Sequence, residues 1–309
     1  MEIIKIDKIN ILDRKTMVTV GMFDGVHIGH RRLIAHLLEQ SERDGLSPVV
    51  VTFDRHPRQV LKPGDPLPLL STYDERMSLL EECGVPMVAL VQFDKATASL
   101  SACEFTSRYL CDKLNMNRLL LGYDNMYGSR AVDDFDKLPL LAKERGFEIS
   151  CDEAVYYEGV DVSSTKIRRA LSEGNMERAN GMLGTPYGVT GVVVHGRHVG
   201  STMGFPTANI MPSEHDKMLP AAGVYALRVI VEGRCFSGMA NLGAQPTFNE
   251  SRPVLEVHII DFSGDLYGKT LRVEFLRRIR DIKTFASSAD LAAQLAVDRE
   301  EVIKIKTDI

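Results

Sequence analysis

The 309-residue sequence predicts an α/β domain built on a parallel sheet, followed by a small antiparallel β-barrel and a C-terminal helix. Three observations carry this reading. Up to about residue 180, short apolar runs alternate with helix-period segments, as in a parallel sheet with helices on both faces. Past Gly184-Thr185-Pro186 the chain becomes a series of short β-type runs broken by glycine and closed by one helical stretch. The length and an ordinary globular composition (44% hydrophobic, 26% charged) accommodate two cores, placed at 1–184 and 185–309.

In order, Thr16–Gly21 (TMVTVG) reads as a strand and is followed by a glycine-bearing turn. In HRRLIAHLLEQSERDG, Leu33, Ile34, Leu37 and Leu38 share one helical face. Pro48–Phe53 (PVVVTF) has the continuous apolar character of a strand buried on both faces. A helix is expected over Asp74–Cys83, ended by Gly84, then a strand over Val85–Phe93, a helix over Ala102–Leu114 and a strand over Arg118–Gly122. In the second half the β-type runs are YGVTGVVVHG, GVYALRVIVEG, CFSGMANLG, VLEVHIIDF and LRVEFLRRI, with a terminal helix over Ala289–Lys304. No internal repeat and no low-complexity linker interrupt this order.

Charge narrows the function classes. The chain carries 37 basic and 42 acidic residues, a net −5; residues 1–184 hold 23 and 28, the rest 14 and 14. Neither half is a basic block and there is no tryptophan, which argues against a protein working on a nucleic-acid backbone. The run Arg272, Arg277, Arg278 and Arg280 reads as a solvated strand edge that discourages aggregation. Five cysteines without a C-x-x-C pair form neither a zinc site nor a disulfide framework and fit a reducing compartment. The N-terminus lacks an uninterrupted apolar segment, and no stretch reaches the ~18 apolar residues of a membrane span. The expectation is a cytoplasmic protein with small-molecule partners, no nucleic acid and no membrane, as a monomer or weak oligomer.

Two places in the first half carry chemistry. GMFDGVHIGHRRL lies where a strand hands over to a helix, with His27 and His30 close to one turn apart. A helix N-terminus offers free N–H groups and a positive dipole end to phosphate. Gly21, Gly25 and Gly29 allow tight turning and close backbone approach. The two imidazoles then either donate hydrogen bonds to a polyphosphate or merely cap and pack locally. In VSSTKIRRAL, Ser163, Ser164 and Thr165 precede Lys166, Arg168 and Arg169, a pattern that suits a phosphate leaving group and equally an ordinary capped helix start.

In the second half, GRHVGSTMGFPTANI has glycine turns and then Pro206-Thr207-Ala208-Asn209. A hydroxyl and an amide two apart can address a magnesium ion and its phosphates from one strand edge. LEVHIIDF places Glu256 and His258 on one strand face and Val257 and Ile259 on the other. Glu256 either accepts a proton from a substrate hydroxyl or lies on a solvated outer face.

GMFDGVHIGH looks like the H-x-G-H signature of the nucleotidyltransferase superfamily. With VVTFDRHP, LLLGYDNMYG and VSSTKIRRAL it resembles the adenylyltransferase half of the bacterial bifunctional riboflavin kinase/FAD synthetases. GFPTAN, GVYALRV, MANLGAQPTF, LEVHIIDFSGDLYG and RIRDIKTF resemble the kinase half. The resemblance implies a Rossmann-like nucleotidyltransferase domain before the barrel. It implies that riboflavin and ATP give FMN in one half, and FMN and ATP give FAD and pyrophosphate in the other. By similarity Thr207 and Asn209 would bind Mg²⁺ and ATP phosphates, and Glu256 would be the general base on the ribityl hydroxyl. His27 and His30 would contact phosphates at the adenylyl transfer site, Ser164, Thr165 and Arg168 would hold the departing pyrophosphate, and Ser163 would be among the nucleotide- and phosphate-binding residues. Gly21, Phe23, Asp24, Gly25, Gly29 and Asp124 fall at the first-half nucleotide, and Gly204 and Pro206 at the second-half one.

The sequence also departs from that family's pattern. Arg55 stands at a usual Pro, Asn125 and Tyr127 at usual Phe positions, and Thr185, Ser201 and Gln245 at usual Arg positions. Losing an aromatic weakens stacking in the adenylyltransferase half, and three fewer cations leave the kinase side less positive. Two alternatives follow: a riboflavin kinase with a weak or lost adenylyltransferase half, and a non-catalytic flavin-binding protein.

Overall fold

The computed structural model describes all residues except 65–66, 124–126, 130–133, 197–203, 244–254 and 306–309. It divides into two compact units, Met1–Leu67 with Tyr73–Ser163, and Pro68–Thr72 with Ser164–Ile309.

The first unit is a six-stranded sheet of β1 (Glu2–Lys5), β2 (Thr16–Val20), β3 (Ser47–Phe53), β4 (Met87–Val91), β5 (Met116–Leu121) and β6 (Glu148–Cys151). The strands lie in the order β1-β4-β3-β2-β5-β6, and every pairing is parallel. Alternation along each strand splits the apolar residues between two cores. Val18, Val51, Ala89 and Leu119 pack on one face, against Phe105, Tyr109 and Leu110 of α3 (Ala102–Phe105, running on as a π-helix over Thr106–Cys111). Met17, Val50, Val88 and Leu120 pack on the other, against α1 (Ile28–Asp44) and α2 (Tyr73–Glu82). Leu33, Ile34 and Leu37 are the buried stripe of α1, as the periodicity predicts, and each contributes about 1.5–3 kcal/mol. Gly45, in the left-handed conformation, ends that helix. A further helix, α4 (Leu138–Arg145), leads into β6.

The predicted strands and helices of this unit are present with shifted ends. The strand expected from Val85 begins at Met87, after Pro86, which has no N–H for the ladder. The chain crosses from β2 to β3 on one side and later from β4 back to β5 on the other, so the sheet reverses direction between β2 and β5. Ligands of doubly wound sheets bind at the carboxyl ends of strands at such a switch point.

The second unit begins with α5 (Ser164–Ser172) and α6 (Met176–Leu183). A barrel follows, made of β7 (Tyr187–Val194), β8 (Ala208–Pro212), β9 (Gly223–Val231), β10 (Arg234–Leu242), β11 (Leu255–Ile259) and β12 (Thr270–Arg280). It is closed in the order β8-β11-β10-β9-β12-β7, with antiparallel pairing throughout. Val189, Ile210, Leu227, Val229, Leu255, Val257 and Phe275 fill its interior. The C-terminal helix α7 (Ser288–Lys304) packs outside, where Val302 meets Ala226, Met239 and Ile260. Ser287 caps it, and the carboxylate of Asp298, 1% exposed, is held by Arg280 at 2.7 Å and by Gln294 at 2.9 Å.

Helices α5 and α6 bury Ile167, Leu171, Met176 and Met182 within this unit, so the boundary expected at 184 falls inside it, between α6 and β7. Asn180 fixes the join: its Nδ2 donates to the Phe275 carbonyl at 2.8 Å, and its Oδ1 accepts from the Tyr187 amide at 2.8 Å. The reading of the arginine run as a strand edge is corrected. Strand β12 is paired on both sides, and its arginines find carboxylates: Arg272 with Glu274, Arg277 with Glu177, Arg278 with Asp281, Arg280 with Asp298.

Candidate active sites

In the first unit, β2 runs into Gly21 and the chain reaches α1 seven residues later, at the switch point between β2 and β5. The turn is made by backbone that few sequences adopt. Phe23 (φ 52°), Gly25 (φ 79°) and Val26 (φ 39°) are all left-handed. For a β-branched or bulky residue such a conformation is an outlier, costing about 1–3 kcal/mol and persisting only where the surroundings over-determine it.

His27 is the N-cap of α1, and its Nδ1 accepts from the His30 amide at 3.3 Å. A ring nitrogen that accepts carries no proton, so His27 presents Nε2–H as a donor. The two imidazoles stack with centroids 3.6 Å apart and planes 14° apart, over the ring of Phe23 at 5.0 Å from His30. A Cβ on Gly29 would come within 3.2 Å of the His27 ring, so glycine is what lets that ring lie along the helix start. Nδ1 of His30 is buried with no hydrogen-bond partner among the described residues. Burial first, and the neighbouring His27 second, hold the His30 imidazole well below its ordinary value of 6.5. Two closely stacked imidazole donors at a positive helix end, the buried His30 ring held neutral, suit phosphate oxygens that gain charge in a transition state.

Of the other sequence-predicted residues here, Asp24 is buried at 3% exposure, and Phe23 lies in the core beneath the histidines. Asp124 and Asn125 lie outside the described residues. Arg55 is exposed and pairs with Asp54 at 3.6 Å. The Tyr127 hydroxyl meets Thr106 Oγ1 at 2.8 Å, and its ring packs between Phe105 and Phe135. The serine–threonine cluster opens α5 of the second unit. Ser163 precedes that helix, Ser164 begins it, Thr165 is exposed, and Arg168 Nε donates to the Pro68 carbonyl at 2.7 Å.

In the barrel, Thr207 precedes β8 and Asn209 lies within it, opposite Glu256 of β11. Leu255, Val257 and Ile259 point into the barrel, so Glu256 and His258 share the other face, as the alternation predicts. His258 Nδ1 meets the Pro206 carbonyl at 2.8 Å, and its ring packs on Phe205, which fixes the segment carrying Thr207. Asn209 is buried, and a Cβ on Gly196 would overlap its amide. Glu256 is half-buried. Thr207 and Pro206 also border a cavity of about 590 Å³ walled by Val257, Ile259, Phe262 and Tyr267, the last stacked on His195 at 4.0 Å. Gly204 is a left-handed turn residue just before it. Ser201 and Gln245 lie outside the described residues.

A hydroxyl, an amide oxygen and a carboxylate are hard oxygen donors of the kind Mg²⁺ takes, few in number as it prefers when phosphates and water complete its shell. The space that Gly196 leaves for the Asn209 amide fits that use. Among the described residues no group of three or more His, Cys, Asp or Glu could hold a metal. Sequence reasoning gave no separate role to Gly196 and Arg31, although both stand inside its motifs, and missed Arg76, which with Arg31 supports the histidine turn.

A doubly wound sheet with paired imidazoles at its switch point, joined to a closed barrel with an oxygen-donor cluster, defines a two-domain transferase that works on nucleotides. The FAD synthetase family model matches residues 10–166 and the riboflavin kinase model residues 183–306. The chain belongs to the bifunctional riboflavin kinase/FMN adenylyltransferase family. It is 38% identical to the curated member of that name from Escherichia coli, over 91% of this chain and 90% of that one, and 33% identical to the member from Bacillus subtilis, over 94% and 92%. A crystal structure described as a macrolide-efflux protein from Streptococcus pneumoniae shares the fold at a TM-score of 0.88 and 33% identity, covering 98% of this chain and 99% of that one. Among the described residues no helix is long and apolar enough to cross a membrane.

Proposed function

We propose that the chain performs the two transfers of this family at separate sites, drawing on residues 1–184 for FAD synthesis and 185–309 for riboflavin phosphorylation. The observation that carries the first is the stacked His27–His30 pair at the switch point. There the FMN phosphate oxygen attacks the α-phosphorus of ATP, and pyrophosphate leaves. His27 Nε2–H and the His30 ring donate to phosphate oxygens, with the amides at the start of α1 and the positive end of its dipole. The neutral His30 imidazole does this without bringing a second full charge into a buried turn. Gly21, Phe23, Asp24, Gly25, Gly29 and Asp124 form the surrounds of this nucleotide. Resemblance, rather than any distance, assigns Ser164, Thr165 and Arg168 to the pyrophosphate and Ser163 to the phosphate surrounds.

In the barrel, Glu256 takes the proton of the terminal ribityl hydroxyl as that oxygen attacks the γ-phosphorus of ATP, and ADP leaves. Thr207 and Asn209 hold the nucleotide phosphates, and Mg²⁺ bound by their oxygens supplies charge neutralisation. Gly204 and Pro206 shape the approach. The cavity beside Thr207 is large enough for the base of ATP, and its aromatic walls suit a flat ring. The setting that fits is cytoplasmic, with riboflavin, FMN and ATP as partners.

A chromatographic time course of riboflavin with Mg·ATP tests this reading. FMN followed by FAD is the expected result. FMN that accumulates without FAD leaves a kinase with a lost adenylyltransferase half. No product leaves a flavin-binding protein.

A further inference from the structure

The left-handed turn from Met22 to Val26 needs something that over-determines it, and two arginines meet its two ends. Arg76 of α2 is 3% exposed. Its Nη1 donates to the Met22 carbonyl at 3.2 Å and lies 3.4 Å from the Met22 sulfur, while its Nη2 donates to the Phe53 carbonyl at 2.6 Å. It therefore ties the segment leaving β2 to the end of β3. Thr52 Oγ1 adds a second bond on the Met22 carbonyl, at 3.3 Å. At the far end, Arg31 Nε donates to the Val26 carbonyl at 3.1 Å, and its Nη1 lies 3.6 Å from Cys83 Sγ, directly after α2. Between the clasped carbonyls sit the three left-handed residues, and beyond them His27. The Met22 carbonyl directly precedes Phe23, whose ring supports His30 at 5.0 Å.

We propose that Arg76 is a positioning residue for adenylyl transfer. It fixes the Met22 carbonyl, so that the strained turn holds Phe23 beneath His30 and delivers His27 to the helix cap. This rests on the assignment of His27 and His30 to the transfer site. The planar fork of arginine holds the two carbonyls from two separate nitrogens in a fixed geometry, which the single nitrogen of a lysine reproduces only in part.

The test measures FMN adenylylation and riboflavin phosphorylation by Arg76→Met and Arg76→Lys in the full chain, with ¹⁵N spectra of the histidine imidazoles. A small misplacement of positioned groups costs about 100-fold, so Arg76→Met should lose roughly that factor in kcat for FAD formation, with KM for ATP changed far less. Riboflavin phosphorylation should stay within about twofold, Arg76→Lys should recover part of the loss, and the His27 and His30 signals should move in both variants. A lower Tm with kcat kept and unmoved imidazole signals makes Arg76 a structural residue only and overturns the proposal. If Arg76→Met does not fold, Arg76→Lys decides: full kcat in that variant overturns the proposal. If the wild-type chain forms no FAD, the functional reading fails. The imidazole signals of Arg76→Lys then decide the positioning role by themselves.

Discussion

The His30 ring is stacked on His27, and its Nδ1 has no hydrogen-bond partner among the described residues, so a proton placed there would be both buried and uncompensated. Its folded-state pKa lies below the ordinary 6.5, and in that interval the unfolded chain binds a proton that the folded chain does not. Stability therefore rises with pH through this window: it is fully present above the unfolded value and lost as pH falls. Thermal melts at about pH 7.5 and about pH 5.5 should show the lower Tm in acid, and His30→Gln should shrink that difference. An equal difference in the variant would place the acid sensitivity elsewhere. At the other site the sensitive residue carries no chemistry. A methyl at Gly196 would overlap the Asn209 amide, so Gly196→Ala should cut riboflavin phosphorylation by about tenfold or more while FMN adenylylation stays within about twofold. Unchanged phosphorylation would show that the Asn209 amide can shift without consequence.

Asn180 links α6 to the barrel through one side-chain amide that satisfies a Phe275 carbonyl and a Tyr187 amide. Truncating it leaves both groups without that partner, a cost of about 1–3 kcal/mol, so Asn180→Ala should lower the Tm of the chain by several degrees. Melting at the wild-type temperature would mean that the buried faces of α5 and α6 hold the join without it. This element also shows what was legible in the sequence. Periodicity located α1, α2 and the buried central strands, because their apolar residues face cores directly. It missed β1 and β6, four-residue edge strands (EIIK and EISC) without a fully buried side chain, which leave no apolar run to read. The glycine–proline boundary it reads at 184 and the start of the second compact unit at Ser164 differ by the two helices α5 and α6, since the partner of an apolar helical face is not written in that helix. The histidine turn was legible as a motif, but Arg76, more than fifty residues from Met22 in sequence, was not. Nor does any local pattern announce the left-handed backbone at Phe23 and Val26.

At the scale of the molecule, the two candidate centres lie in different compact units, the imidazole pair in one and the Thr207–Asn209–Glu256 cluster in the other. If the two centres act separately, damage to one leaves the other intact. Removing an acid–base or phosphate-contacting side chain typically costs about 100-fold to 10,000-fold. His30→Ala should therefore lose FAD formation from FMN and keep FMN formation, and Glu256→Ala should do the reverse. The decisive case is the mixture. Neither variant alone should convert riboflavin to FAD at an appreciable rate. Together they should, because FMN released by the His30→Ala molecule is a substrate for the intact adenylyl site of the Glu256→Ala molecule. That route passes through solution, so FAD should appear after a lag that shortens as the Glu256→Ala protein is raised, and added FMN should abolish the lag. A mixture that accumulates FMN without FAD, while the Glu256→Ala protein still converts added FMN, would mean that FMN is retained where it is made. The product of one unit would then reach the other only within the same chain.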